Sequence, residues 1–227
     1  MRSIVLILLA LTVVNCDSSS HSKEKKTQIQ KTISQKENTI FLVYQKEINS
    51  KHIEILKEHL EKAFPEYEIE LHKAPALPKE LRSTMHKERY RADSILRFLN
   101  LTYLDHALKV ILITDKGITC TKYTTTGGVK KIKEPRYRYI DWGIFGLGAC
   151  PGYTCVVSTK FLWARKANEK IFLQRLKNIA VHELGHTFGL PHCSVEKCVM
   201  NDANETIVTI DKSTGLFCAK CKYNLPL

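Results

Sequence analysis

One short run constrains this chain more than any other feature: His182-Glu183-Leu184-Gly185-His186, followed by Gly189 and His192. It closes a stretch, residues 171–188, that is rich in good helix formers. Phe172, Leu173, Leu176, Ile179, Ala180 and Leu184 give that helix a surface to bury. Residues at i and i+4 share a helical face, so His182 and His186 can reach one metal ion. Glu183 is turned about 100° from His182. It can stand beside the metal and contact a bound water without becoming a ligand. Gly189 sits where the helix must stop, because glycine tolerates the left-handed backbone that reverses a chain. Leu190 precedes Pro191 and is biased toward extended backbone. The turn then returns His192 as a third nitrogen donor. Three protein donors plus a water is the open arrangement of a catalytic zinc, whereas structural sites close with four.

The spacing H-E-x-x-H-x-x-G-x-x-H is the metzincin signature. The residues that follow narrow it: Cys193 directly after the third histidine, Cys198 five on, Met200 two further, then Cys218 and Cys221. In these the chain resembles the archaemetzincins (archaelysins), whose pattern adds C-x-M and a late C-x-x-C. The match runs directly from His182 to Cys221. The resemblance implies a zinc metallopeptidase of mixed α/β class. It would have a metzincin-like catalytic domain with a twisted, mostly parallel sheet, an active-site helix and a zinc-stabilised C-terminal subdomain. It also implies that Met200 forms an apolar floor beneath the three imidazoles. On the residues alone Met200 reads equally as core filling.

The four late cysteines invite a second zinc. C-x4-C followed by C-x-x-C is thiolate spacing, and four thiolates make a closed site. Because Cys193 adjoins His192, fixing that thiolate also fixes the third histidine. The competing reading is two disulfides, which export to an oxidising compartment would favour. Cys150 and Cys155 flank Pro151-Gly152, a turn that can bring them together in a further disulfide. Cys120 is then left as a buried free thiol.

The start of the chain is not part of the fold. A short positive start precedes an apolar run over residues 4–14, broken only by Thr12. Eleven helical residues rise about 16 Å, far short of the hydrocarbon layer, so this is a signal peptide and not a span. Cys16 follows at the end of residues 1–16, and the segment resembles a bacterial lipoprotein signal with a lipidated cysteine. The alternative is a plain secreted protein. Residues 17–37 carry two isoleucines and no aromatic residue, and read as a solvated tether. Residues 38–227 are the expected folded domain.

Within it, residues 39–44 and 108–114 are continuous apolar runs of the kind buried in parallel sheets. Ser50 is expected to cap a helix that runs to about Phe64, and a second helix is expected over residues 87–101. Residues 67–71, 118–124 and 153–158 are further strand candidates, with a glycine-rich stretch over 143–152. By analogy with metzincins, residues 153–158 are expected to pair with extended substrate.

A formal net charge of +12 and a pI near 9.3 are compatible with acidic partners, an anionic surface or nucleic acid. No nucleic-acid motif accompanies the charge, and the basic residues are scattered. Only Lys130-Lys131-Ile132-Lys133, with Arg136 and Arg138 beside Tyr137 and Tyr139, forms a local patch. The expectation is a monomer acting on peptides, exported and lipid-anchored to a bacterial membrane. A non-peptidase metallohydrolase and an inactive zinc-stabilised binding module are the rivals. The intact Glu183 speaks against the second, since a scaffold has no need of that carboxylate.

Overall fold

The computed structural model describes residues 38–203 and 206–225; the leader, Cys16 and the 17–37 segment lie outside the described residues. Uninterrupted apolar runs make the centre of the fold. β1 (Thr39–Tyr44), β2 (Glu68–Lys73), β4 (Lys109–Thr114), β9 (Gly146–Gly148) and β10 (Thr154–Ser158) form one sheet in the order β2-β1-β4-β10-β9. Its first three pairings are parallel, and β9 runs antiparallel to β10.

The continuous hydrophobicity has a direct cause, because both faces of this sheet are covered. Ile111, Ile113, Cys155 and Val157 face one core with Ile53, Leu56 and Leu60 of α1 (Ser50–Ala63). Leu176, Ile179, Ala180 and Leu184 of α4 (Glu169–Thr187) complete that core. Val110, Leu112 and Val156, one residue out of step, face the other core with Ile95, Leu96 and Leu99 of α2 (Ala92–Tyr103). The result is a mostly parallel α/β sheet between helical layers, as expected.

Local details differ from the sequence reading. Asn49, not Ser50, caps α1, its side chain accepting from the Lys51 amide at 3.0 Å. The helix expected over 87–101 starts later, because residues 89–91 form a strand, β3 (Arg89–Arg91). β3 pairs with β5 (Gly117–Cys120), buries Tyr90 and leaves α2 to begin at Ala92. Pairing in a second sheet, where β5 also joins residues 142–144, outweighs local helix preference there. The single strand expected over 118–124 is two strands. β5 ends at Cys120, and β6 (Tyr123–Thr126) pairs with β7 (Val129–Ile132) in an exposed hairpin. Gly127 and Gly128, at φ of 56° and 79°, make its turn, the conformation that a two-residue hairpin loop requires. A short helix, α3 (Arg136–Tyr139), leads into β8 (Trp142–Ile144). Among the described residues the C-terminal part carries α5 (Ile207–Lys212) and α6 (Ala219–Tyr223).

Candidate metal centres and the cleft between their walls

α4 starts at Asn168, whose side chain accepts from the Ile171 amide at 3.0 Å. It stops at Gly189, which has φ of 90°. There the Gly189 amide donates to His186 O and the Leu190 amide to Gly185 O, at 2.8 and 3.1 Å. The turn therefore forms as the glycine predicts, and it does a second job. Leu190 O accepts from Nδ1 of His186 at 2.7 Å, and Val199 O accepts from Nδ1 of His182 at 2.8 Å. A carbonyl can only accept, so both ring protons are committed and both Nε2 lone pairs are left bare.

Those two Nε2 atoms face each other at 3.1 Å, and a donor nitrogen of His192 joins them within 4.8 Å. Nitrogens bound tetrahedrally to one zinc at about 2.1 Å stand about 3.4 Å apart. The donor set thus fits a cation, and two opposed lone pairs call for one. Burial holds His182 down to about 4 and lowers His186, which keeps both neutral and ready as ligands. Met200 is fully buried, with Sδ 2.7 Å from where a Cβ on Gly185 would stand. It lies against the helix one residue from His186.

Cys193, Cys198, Cys218 and Cys221 converge behind His192, their sulfurs within 4.8 Å of one another. Cys193 and Cys218 are 3.9 Å apart and Cys198 and Cys221 3.8 Å, far from the ~2.05 Å of a disulfide. Thiolates about 2.3 Å from a shared zinc stand about 3.8 Å apart, so this donor set also fits the metal. Val195 and Cys218 donate backbone N–H bonds to Cys193 and Cys198 sulfurs at 3.4 and 3.5 Å. The Cys221 amide helps bring Cys218 down to about 7. Asn201 clamps Cys193 O and Val195 O at 2.6 and 2.7 Å, and the Cys193 amide bonds Met200 O at 2.8 Å. His192 and Met200 are thus tied to the same knot.

The disulfide that the turn left open between Cys150 and Cys155 does not form. Cys155 is fully buried in the sheet core, while the exposed Cys150 thiol turns toward Leu190 O at 3.6 Å. Cys155 belongs to the central strand β10, whereas Cys150 precedes it in an exposed bend. Cys120 is a free thiol, half-buried rather than buried.

The substrate strand is also corrected. β10 lies between β4 and β9 with every residue buried, so neither of its edges is open to a peptide. The free edge belongs to β9, within the glycine-rich stretch. A Cβ on Gly146 would stand 2.5 Å from Cγ of Glu183, and one on Gly148 2.3 Å from Glu183 O. Only glycines let this strand descend onto α4, a signal present in Gly146-Leu147-Gly148 but unassigned in the sequence reading. Beneath it Glu183 is buried, and burial raises its carboxyl to about 8 against the pull of the Gly148 amide. A cleft of about 1070 Å³ opens here. Its walls are the 142–148 segment and, opposite, residues 201–203 with Ile207, Ile210 and Ser213, and Ile179, His182, Glu183 and His186 form its floor.

Two histidines on a helix and a third returned by the turn beyond it, under the open edge of an α/β sheet, define a metzincin-type peptidase domain. A family model described as Peptidase family M54 matches residues 22–226, and the chain belongs to that family. It is 37% identical over 78 residues to an archaemetzincin of Methanopyrus kandleri, covering 34% of this chain and 43% of that protein. It is 35% identical over 86 residues to one of Halobacterium salinarum, covering 35% and 49%. The chain thus spans about half the length of the curated relatives it matches. The crystal structure of the Methanopyrus kandleri archaemetzincin superposes with a TM-score of 0.65 at 25% identity, covering 83% of this chain and 93% of that one. That of the Archaeoglobus fulgidus archaemetzincin complexed with malonate gives 0.59 at 24%, covering 82% and 99%, a likeness of fold.

Proposed function

We propose that this chain is a zinc-dependent peptidase in which His182, His186 and His192 hold the catalytic metal and Glu183 is the general base. The observation that carries this reading is the place of Glu183, beside the three imidazoles and directly under the free edge of β9. Zinc at the imidazoles supplies a Lewis acid that brings a water's pKa toward 7 and polarises the substrate carbonyl. Apart from the Gly148 amide, which Glu183 engages, the outward N–H and C=O groups of β9 align an extended peptide by strand addition. Burial raises the Glu183 carboxyl to about 8, and a dication held by the neighbouring imidazoles would favour its ionised form. As a carboxylate it takes a proton from the attacking water and returns it to the leaving nitrogen. Cys193, Cys198, Cys218 and Cys221 hold a second, structural zinc, and their knot keeps His192 and the Met200 floor in place.

The test is hydrolysis of a mixed peptide library by wild type and Glu183→Ala, with zinc content measured for both. Cleavage by wild type, lost in the variant at unchanged zinc, is expected. No cleavage by zinc-loaded wild type would favour the binding-module reading, and cleavage by both would sink the role of Glu183.

We further propose export with a lipid anchor at Cys16 and action as a monomer; the leader ending at Cys16 and the polar tether after it support the anchor. No helix among the described residues is long and apolar enough to cross a membrane. Mass spectrometry of the mature N-terminus is expected to show acylated Cys16, and an unmodified Cys16 overturns the anchor.

A further inference from the structure

Part of the scattered basic charge lines the cleft. Arg89 of β3, Lys122 before β6, Arg138 of α3 and Arg165 of the loop after β10 all line it. A guanidinium nitrogen of Arg89 lies 3.3 Å from the Cβ position of Gly143. Its carbon stands 5.9 Å from the Phe161 ring centre. Nζ of Lys122 is 5.1 Å over Trp142, whose ring stacks on Tyr139 at 5.3 Å, and Arg138 adjoins Tyr139. Trp142 and Gly143 begin the wall that continues to Gly146 above Glu183. Three residues of extended chain span about 10 Å, so Arg89, held beside Gly143, stands two to three substrate residues from the bond to be cut.

The acids on the same walls are already engaged. Asp141 is buried, accepts the Ser83 hydroxyl at 2.7 Å and has Arg91 at 3.8 Å. Asp202 stands 3.7 Å from His192 and attracts Lys122. Glu183 is under Gly146. Arg138 and Arg165 are exposed and have no carboxylate partner among the described residues, while Arg89 has only the exposed Glu88 at 3.7 Å. Arg165 is also held deliberately. It and Lys166 take φ of 58° and 55°, a strained conformation for two consecutive side chains. The buried Arg175 braces that loop, donating to Leu162 O and Ala164 O at 2.7 and 2.8 Å.

Resting on the peptidase reading, we propose that the cleft selects peptides with a carboxylate on the C-terminal side of the scissile bond, received by Arg89, Arg138 and Arg165. The direction follows from antiparallel pairing with β9, the more stable ladder, which puts the substrate's C-terminal side at the Trp142 end. The carboxylate is either an acidic side chain or the peptide's own terminus.

The zinc-loaded Glu183→Ala protein serves as the binding form. It is titrated with fluorescent peptides that differ only after the central bond, bearing Glu, Gln or Lys, each with a free or amidated C-terminus. The Glu peptide is expected to bind about tenfold tighter than the Gln peptide, the Lys peptide weakest of all, with the gap shrinking at about 0.5 M salt. Adding Arg138→Glu and Arg165→Glu is expected to reverse the Glu and Lys order at unchanged zinc content. A gain from the free terminus alone assigns the terminal carboxylate as the group received and supports the proposal in that form. Equal affinities, or a preference for acids placed before the central bond, overturn it. Binding to phosphatidylserine vesicles without discrimination among peptides gives the cations to a membrane surface and overturns it as well. If wild type cuts none of these peptides while the Glu183→Ala protein still discriminates, only the peptidase reading fails.

Discussion

The two donor clusters meet at the His192–Cys193 peptide bond, yet they are built in opposite ways. Two of the histidines ride one turn apart on a 19-residue helix whose apolar face is buried with or without metal. The cysteines come from turns and a helix of 5 residues, too short to persist alone. The histidine cluster has three donors and opens on a cleft; the cysteine cluster has four and faces the core, with Cys198 and Cys221 buried. A rigid helix can spare a coordination position for chemistry. A chain of turns spends every donor on holding itself together.

That contrast can be broken first by removing one donor from each side. Cys198→Ser is expected to cost both metals and several kcal/mol of stability, because the knot also carries His192 and a structural zinc contributes about 10 kcal/mol or more in small domains. His186→Ala is expected to lose one zinc and keep the other. Zinc content and thermal midpoints check this; a Cys198→Ser protein that keeps full activity would show the clusters to be independent.

Acid should also separate them. His182 is held at about 4 against 6.5 in the unfolded chain, so its contribution to stability is present above pH 6.5 and is lost as pH falls toward 4. In the chelated protein this amounts to about 2 kcal/mol after allowing for partial exposure. Urea midpoints at pH 7.5 and 4.5 measure it, and His182→Gln is expected to flatten the difference. Next in size, Gly146→Ala pushes a methyl into Glu183, and a displacement of that order is expected to lower kcat about 10- to 100-fold at unchanged zinc content. Smallest is Gly189→Ala, expected to cost about 1–2 kcal/mol for its positive φ, read as a lower thermal midpoint.

The helix, its stop at Gly189 and both donor sets were legible because their logic is local: i and i+4 share a face, and a glycine ends a helix. The apolar runs of β1 and β4 were legible because a strand buried on two faces has no polar residue to hide. The small sheet was not, since Arg89–Arg91 carries no strand pattern and pairs with a segment some thirty residues away. Nor was the open edge of the main sheet. Residues 153–158 look more like a strand than Gly146-Leu147-Gly148 does, and that hydrophobicity is what marks them as interior.

By itself, then, the sequence determined which residues can bind metal, because donor type and helical spacing suffice for that. Tertiary structure alone decided which strand edge stays open, which ring nitrogens are left bare, and where the basic residues gather. Those depend on partners distant in sequence: Val199 O for His182, β10 for β9, and Gly143 for Arg89. Long-range pairing leaves almost no trace in local pattern.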